Sequence, residues 1–408
     1  VAAVLPLADA GPLLARCGTT VRAAYDVSPH ADETHDWWVV ADRCDPAGRP
    51  QRRDHVLGVG GASVTLAELT VRRPVARALD VGTGCGVQAL HLSTHCDTVT
   101  ATDSVPRALT LAATTAALSG IDVELIEGDL VTPVADREFD LVVCNPPFVV
   151  GPSARYDYRD GGLPGDELSC RAVRVCASVL ADGGVAQLLV NWLHVDGEDW
   201  RDRASSWVSG LGVDAWLIER DLEDPAAYVT TWLDDAGESG DDELREQWLA
   251  WFAAGHIDAV GFGWVVLRRG SAPHRVAVEP LLQPVEQPLG AEIAGWLDRT
   301  AWLRGRDDAS LLAAALRAAP GVRLDTAATI GDAGWEPVAR LLRFDAGFRW
   351  TLPTDEASAA LVAGCDGHRA LGDLVEVLAR STGIGAKTLA PVVCSAARGL
   401  IDRGVLLP

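Results

Sequence analysis

The chain has 408 residues, 48% of them hydrophobic and 23% charged, with a formal net charge of −22. That composition belongs to a folded globular protein and not to a disordered one, and no apolar run approaches the ~20 residues that span a bilayer. A surface this acidic also repels the phosphate backbone from which nucleic-acid binding draws most of its affinity. At ~100–200 residues per domain the length allows two to four domains. Val1–Pro12 has no basic leader, so no signal peptide is read. The nine cysteines are scattered without a C-x-x-C pair, a pattern of free thiols in a reducing cytoplasm. His91, His95 and Cys96 read as the exposed end of a helix. With no second ligand pair at a zinc-like spacing, no metal is expected.

In chain order, residues 1–72 read as a small helical or mixed domain that closes on a glycine-rich stretch, Gly58–Ser63. A strand–helix alternation then starts. Ala76–Val81 is a predicted strand, Val87–Ser93 a helix, and Thr98–Thr102 a second strand. A helix opens near Pro106, consistent with proline in a first helical turn. Val123–Glu127 and Phe139–Cys144 are the third and fourth strands, the latter apolar throughout and so expected at the centre of the sheet. A helix over Glu167–Leu180 leads to a strand at Val185–Val190, and Ala215–Glu219 and Gly263–Arg268 complete the set. Residues 196–246 hold 16 acidic and 4 basic side chains and read as an acidic insert. The run Trp248–Phe252 is read as core packing. This alternation predicts an α/β domain over residues 73–272 with a doubly wound, largely parallel sheet. Over residues 273–408 the pattern turns to helices. Leu371–Ser381 and Leu389–Arg403, followed by Gly404–Leu407, predict a helix-rich, winged-helix-like domain.

Two segments carry chemistry. In Asp80-Val81-Gly82-Thr83-Gly84-Cys85-Gly86 a glycine loop follows an apolar strand and opens a helix, the place where open α/β sheets bind nucleotides. Here an acid precedes the glycines. A dinucleotide would set its phosphate at the helix N-terminus, where a carboxylate is unfavourable; S-adenosyl-L-methionine has no phosphate and carries a cationic amino acid. Asp103 ends the second strand, and Gly128-Asp129 follows the third. The sequence here resembles the class I S-adenosylmethionine-dependent methyltransferases, which implies a Rossmann-like sheet. By that resemblance Asp80, Gly82, Thr83, Gly84 and Gly86 bind the methionine end, Asp103 the ribose hydroxyls and Asp129 the adenine amino group. Gly58–Ser63 would lie along the cofactor.

The second segment is Asn145-Pro146-Pro147-Phe148, directly after the fourth strand. An amide or aromatic amine nitrogen is a poor nucleophile because its lone pair is delocalised. The Asn145 side-chain oxygen and the Pro146 carbonyl are placed to accept its hydrogens, aim the lone pair and stabilise developing positive charge. The prolines stiffen the turn, and Phe148 offers a flat face to a planar group. The motif resembles that of methyltransferases acting on nitrogens conjugated to π systems, in which Asn145 also borders the cofactor. Tyr158–Gly162, Gly165–Leu168 and Leu180–Gly184 narrow the resemblance to protein glutamine N5-methyltransferases of the release-factor-modifying type, which implies a protein acceptor. Nucleic-acid enzymes acting on guanine N2 or adenine N6 share the motif, as do small-molecule N-methyltransferases of secondary metabolism. Phe148 stands where the glutamine enzymes more often have Tyr, and over 200 further residues follow the domain that carries the resemblance. The oligomeric state is not legible.

Overall fold

The structure is a computed structural model; it describes residues 14–17, 20–43, 52–152, 163–332 and 334–408. It divides into two compact units, Val1–Leu282 and Gln283–Pro408.

The first unit opens with two hairpins, β1 (Leu14–Cys17) with β2 (Thr20–Ala23) and β3 (Tyr25–Ala31) with β4 (Asp36–Asp42). Helix α1 (Gly61–Leu69) follows. The alternation then yields β5 (Val75–Val81), α2 (Val87–Leu92), β6 (Cys96–Asp103), α3 (Pro106–Ser119), β7 (Glu124–Glu127) and β8 (Phe139–Cys144). After it come α4 (Glu167–Ser178), β9 (Leu180–Val195), α5 (Trp200–Val208), β10 (Val213–Glu223), α6 (Pro225–Asp235), α7 (Asp242–Ala254), β11 (Ile257–Arg269) and β12 (Val276–Pro280).

Eight of these strands form one sheet in the order β12-β10-β11-β9-β8-β5-β6-β7. Only β11 runs against its neighbours, pairing antiparallel with both β9 and β10. The chain moves outward from β5 on both sides, to β6 and to β8. The crevice of the sheet therefore opens at the carboxyl ends of β5, β6 and β8, the switch point where such sheets bind ligands. Strand β8 is central, as its apolar sequence predicts: Leu141, Val142, Val143 and Cys144 are buried.

The β3–β4 hairpin packs on the helices of the sheet. Trp37, Val39 and Val40 of β4 share a buried cluster with Val87 and Leu90 of α2 and Leu111 of α3, and the Val40 amide donates to Thr115 Oγ1 at 3.0 Å. That packing joins the hairpin to the sheet's helices. The acidic segment 196–246 is not an excursion from the sheet, because it contains α5, β10, α6 and the start of α7. Its acids serve partly as helix caps: Asp224 accepts from the amides of Ala226 and Ala227, and Asp241 from that of Leu244. His91 is buried, not at an exposed helix end. It faces His30 at 2.8 Å and Arg72 at 3.1 Å, because the hairpin that covers it has no signature in the local sequence. Among the described residues no helix is long and apolar enough to cross a membrane.

The second unit contains α8 (Gly290–Leu303), α9 (Asp308–Leu312), β13 (Ala315–Ala318), β14 (Arg323–Gly331), β15 (Gly334–Arg343), β16 (Thr351–Thr354), α10 (Glu356–Gly364), β17 (Asp366–Ala370), α11 (Leu371–Thr382), α12 (Ala386–Asp402) and β18 (Leu406–Leu407). The paired helices and terminal strand fall where the periodicity predicts. The meander β14-β15-β16 is an addition the sequence reading missed. Most of the β14 side chains are exposed, so it lacks the buried alternation that marks a strand.

Candidate active site

At the end of β5 the chain turns back through three glycines with left-handed backbones, Gly82, Gly84 and Gly86, at φ +71°, +55° and +88°, which only glycine adopts without strain. The Gly82 and Thr83 amides both donate to the Thr102 carbonyl of β6, at 2.9 and 3.0 Å. The Gly84 amide donates to Asp103 Oδ2 at 2.9 Å. A β-carbon on Gly82 or Gly84 would meet no protein atom within 4 Å, so this side of the loop faces open space. Behind it, Gln88 of α2 donates to the Ser63 carbonyl at 2.8 Å, which places the Gly58–Ser63 stretch and α1 beside the same loop.

Asp80 lies beneath the glycines at 1% exposure and accepts a 2.6 Å bond from Thr83 Oγ1. Burial pushes its carboxyl up to about 7, and the nearby Asp103 charge adds to the shift. Asp103 is also pushed up by burial, against the pull of backbone amides. Its Oδ1 accepts from Val105 at 2.9 Å. The structure thus gathers Asp80, Gly82, Thr83, Gly84, Gly86 and Asp103 at two neighbouring strand ends. The Gly128 amide ties in the third by donating to the Asp103 carbonyl at 2.9 Å. Asp129 stands apart. Its carboxylate is more than half exposed and ion-paired with Arg171 of α4, a partner that no local spacing announces.

Register pairs Val81 with Cys144, so Asn145 leaves β8 beside Gly82. Asn145 Oδ1 is buried and has no hydrogen-bond partner. A buried carbonyl oxygen left without a donor carries a desolvation cost, and its position here fits a site that receives an N–H from a ligand. Pro146 is buried, while Phe148 is half-buried and packs on Phe262 of β11 (ring centroids 5.5 Å apart) and Trp232 of α6 (6.2 Å). Val149 and Val150 enter a core made by Leu193, Tyr228, Val229, Leu233, Trp248 and Phe252. The Val150 amide donates to the Tyr228 hydroxyl at 2.9 Å. At Gly151 a β-carbon would lie 2.7 Å from the Trp248 ring, so glycine is required for that close approach. Helices α6 and α7 therefore buttress the Asn-Pro-Pro-Phe turn; of the run 248–252 read as core, Trp248 and Phe252 are buried, Leu249 and Trp251 are partly buried against them, and Ala250 is exposed.

The downstream Asp166 is also structural. It is buried, caps the Leu193 amide at 3.0 Å and receives Arg203 at 2.7 and 2.8 Å. Tyr158–Gly162 lies outside the described residues. Sequence reasoning missed Asn191, Asp221, Glu223, Tyr228, Trp232 and Phe262, which with Phe148 line a pocket of ≈ 190 Å³. They converge from β9, β10, α6 and β11, and no motif links them.

Residues 59–161 match the family model described as Methyltransferase small domain, and residues 294–408 match one described as Domain of unknown function (DUF7782). The chain is 39% identical over 124 residues to a release factor glutamine methyltransferase of Deinococcus radiodurans, covering 28% of this chain and 44% of that protein. It is 35% identical over 126 residues to a ribosomal protein uL3 glutamine methyltransferase of Bradyrhizobium diazoefficiens, covering 27% and 40%. The chain thus spans under half the length of either relative. A crystal structure of a methyltransferase from Pyrococcus furiosus aligns with 54% of this chain and 88% of its own, at 18% identity and a TM-score of 0.35.

Proposed function

We propose that this chain, whose residues 59–161 match the family model described as Methyltransferase small domain, is a class I S-adenosylmethionine-dependent methyltransferase that transfers a methyl group to the side-chain nitrogen of a glutamine in a protein. The observation that carries the reading is the donorless, buried Asn145 Oδ1 at the end of β8, next to an open glycine loop with a buried carboxyl beneath it.

S-adenosylmethionine supplies, when bound, a methyl group on a positively charged sulfur. The residues that would hold it are Asp80 and the glycine loop toward the amino-acid end and Asp103 toward the ribose, with Asp129 at the rim. Asn145 Oδ1 accepts one N–H of the acceptor amide and the Pro146 carbonyl the other. These two bonds orient the planar amide so that its lone pair faces the incoming methyl group, and they oppose the positive charge that grows on the nitrogen until it gives up one of its two protons. Phe148, braced by Trp232 and Phe262, walls the acceptor's planar group and excludes water. The glutamine assignment draws on the two relatives, whose names state protein glutamine as the residue modified. The net charge of −22 disfavours a nucleic-acid acceptor.

Incubation with labelled S-adenosylmethionine and, separately, release factors, ribosomal proteins, tRNA, rRNA and metabolite pools tests this. Label on a glutamine of a protein fraction is the expected result; label confined to RNA or to a metabolite overturns the acceptor assignment.

A further inference from the structure

The pocket beside the catalytic turn has an unusual chemistry for a site that handles a neutral amide. Its walls are aromatic: Phe148, Tyr228, Trp232 and Phe262. Its rim carries two carboxylates, Asp221 and Glu223. Asn191, at 1% exposure, belongs to the same wall. The Asn191 amide nitrogen donates to the Tyr228 hydroxyl at 3.1 Å, whereas its Oδ1 is buried with no donor.

Around the rim three acids, Asp221, Glu223 and Asp224, stand against one neighbouring cation, Arg220. Glu223 is pushed up by partial burial and by two like charges, Asp221 and Asp224. Asp224 is itself committed to the N-terminus of α6. Arg220 lies over the Trp264 ring at 4.9 Å and also feels the Asp221 charge, so it offsets only part of the rim's negative charge. An aromatic box, an unfilled carbonyl acceptor and paired carboxylates at the mouth make up the recognition chemistry of a cation with N–H donors. The volume, ≈ 190 Å³, is on the scale of one side chain, and the rim would repel a phosphate.

We infer that this pocket binds a positively charged side chain, arginine or lysine, that neighbours the methylated residue in the acceptor polypeptide. The inference rests on the protein-glutamine reading above for its choice of acceptor. The cation's head lies among the four rings with its N–H groups toward Asn191 Oδ1, and Asp221 and Glu223 neutralise it from the rim. Because β10 and α6 supply most of the pocket, the acidic segment contributes acceptor selection while the glycine loop holds the cofactor.

The test uses the full chain and short glutamine peptides carrying arginine at one of the three positions on either side of the glutamine, each paired with a peptide bearing citrulline, arginine's neutral isostere, at that position. Binding is followed by tryptophan fluorescence in the presence of S-adenosylhomocysteine, and methyl transfer by mass spectrometry. At one or more positions arginine should bind at least ten-fold more tightly than citrulline. In the double variant Asp221→Asn, Glu223→Gln that ratio should fall to within about two-fold, with S-adenosylhomocysteine affinity as the check on folding. Equal binding of arginine and citrulline peptides throughout, or a preference that survives in the double variant, overturns the inference. Should the carboxylate-dependent preference hold while no label reaches glutamine, the pocket stands and the glutamine reading fails. Should glutamine be methylated regardless of its neighbours' charge, the glutamine reading stands and the pocket assignment fails.

Discussion

Asn145 presents a buried oxygen without a donor, and this separates its contribution to turnover from any contribution to cofactor binding. An interaction that strengthens as charge develops appears in rate and not in ground-state affinity. Asn145→Ala is therefore expected to lower kcat by about 10²–10³ while S-adenosylhomocysteine affinity stays within a few-fold; wild-type turnover in this variant would refute the assigned role. Asp80 gives a pH signature. Its free carboxyl titrates at about 7, so lowering the pH through that value protonates it and removes the charge offered to a cationic amino-acid end. Cofactor affinity should then rise from pH 6 to pH 8 and level off above, as calorimetry at three pH values would show; a flat profile would mean that Asp80 does not face the ligand. Asp103→Ala removes a charge-assisted acceptor worth ~1.5–3 kcal/mol, about ten- to a hundred-fold in cofactor affinity by the same measurement. The residues of this half were legible in the sequence because they follow strand ends and need a tight turn. Asp129's engagement with Arg171 was not, because an ion pair across 42 residues leaves no local pattern.

At the scale of elements, α6 and α7 matter more than their acidic composition announces. Trp248 is 1% exposed, packs under the chain that leaves the Asn-Pro-Pro-Phe turn and touches the space of Gly151. Trp248→Ala should cost about 3–5 kcal/mol of stability, read as a lowered urea midpoint, and should impair methyl transfer more than cofactor binding. The β3–β4 hairpin gives a second, pH-linked expectation. Burial pushes His91 down to about 4, with the Arg72 charge adding to it. The unfolded chain binds a proton near 6.5 that the native state refuses. Stability is thus lost as pH falls from about 6.5 toward 4, by roughly 2–3 kcal/mol. His91→Gln should flatten that part of the stability profile; an unaltered pH dependence would show that His91 is not the group responsible. Strands β5 to β8 were readable from apolar runs and turns alone. The hairpin that covers α2 and α3 was not, because its face is set by distant helices and not by its own alternation.

For the whole molecule, the surplus of negative charge over residues 196–246, which include the pocket residues Asp221 and Glu223, would draw in basic partners from solution. The kcat/KM for a basic protein acceptor should fall about ten-fold between ~0.05 and ~0.5 M salt with kcat little changed, since screening acts on encounter; salt-independence would argue against electrostatic steering. The doubly wound, largely parallel sheet and the central place of β8 followed from the strand–helix alternation and the apolar runs, whereas the order of the strands and the pocket, built from four separate elements, required the folded chain. That difference in sequence separation also has a consequence during synthesis. The strand ends assigned to the cofactor are complete once residue 145 has left the ribosome, but Phe148 meets Trp232 and Phe262 only after residue 262 has followed. A chain made from its N-terminus therefore exposes the residues assigned to the methyl donor well before those that wall an acceptor, and Leu79, Val81, Val142 and Cys144 beneath them wait for Trp192, Leu217 and Leu267 to close their core.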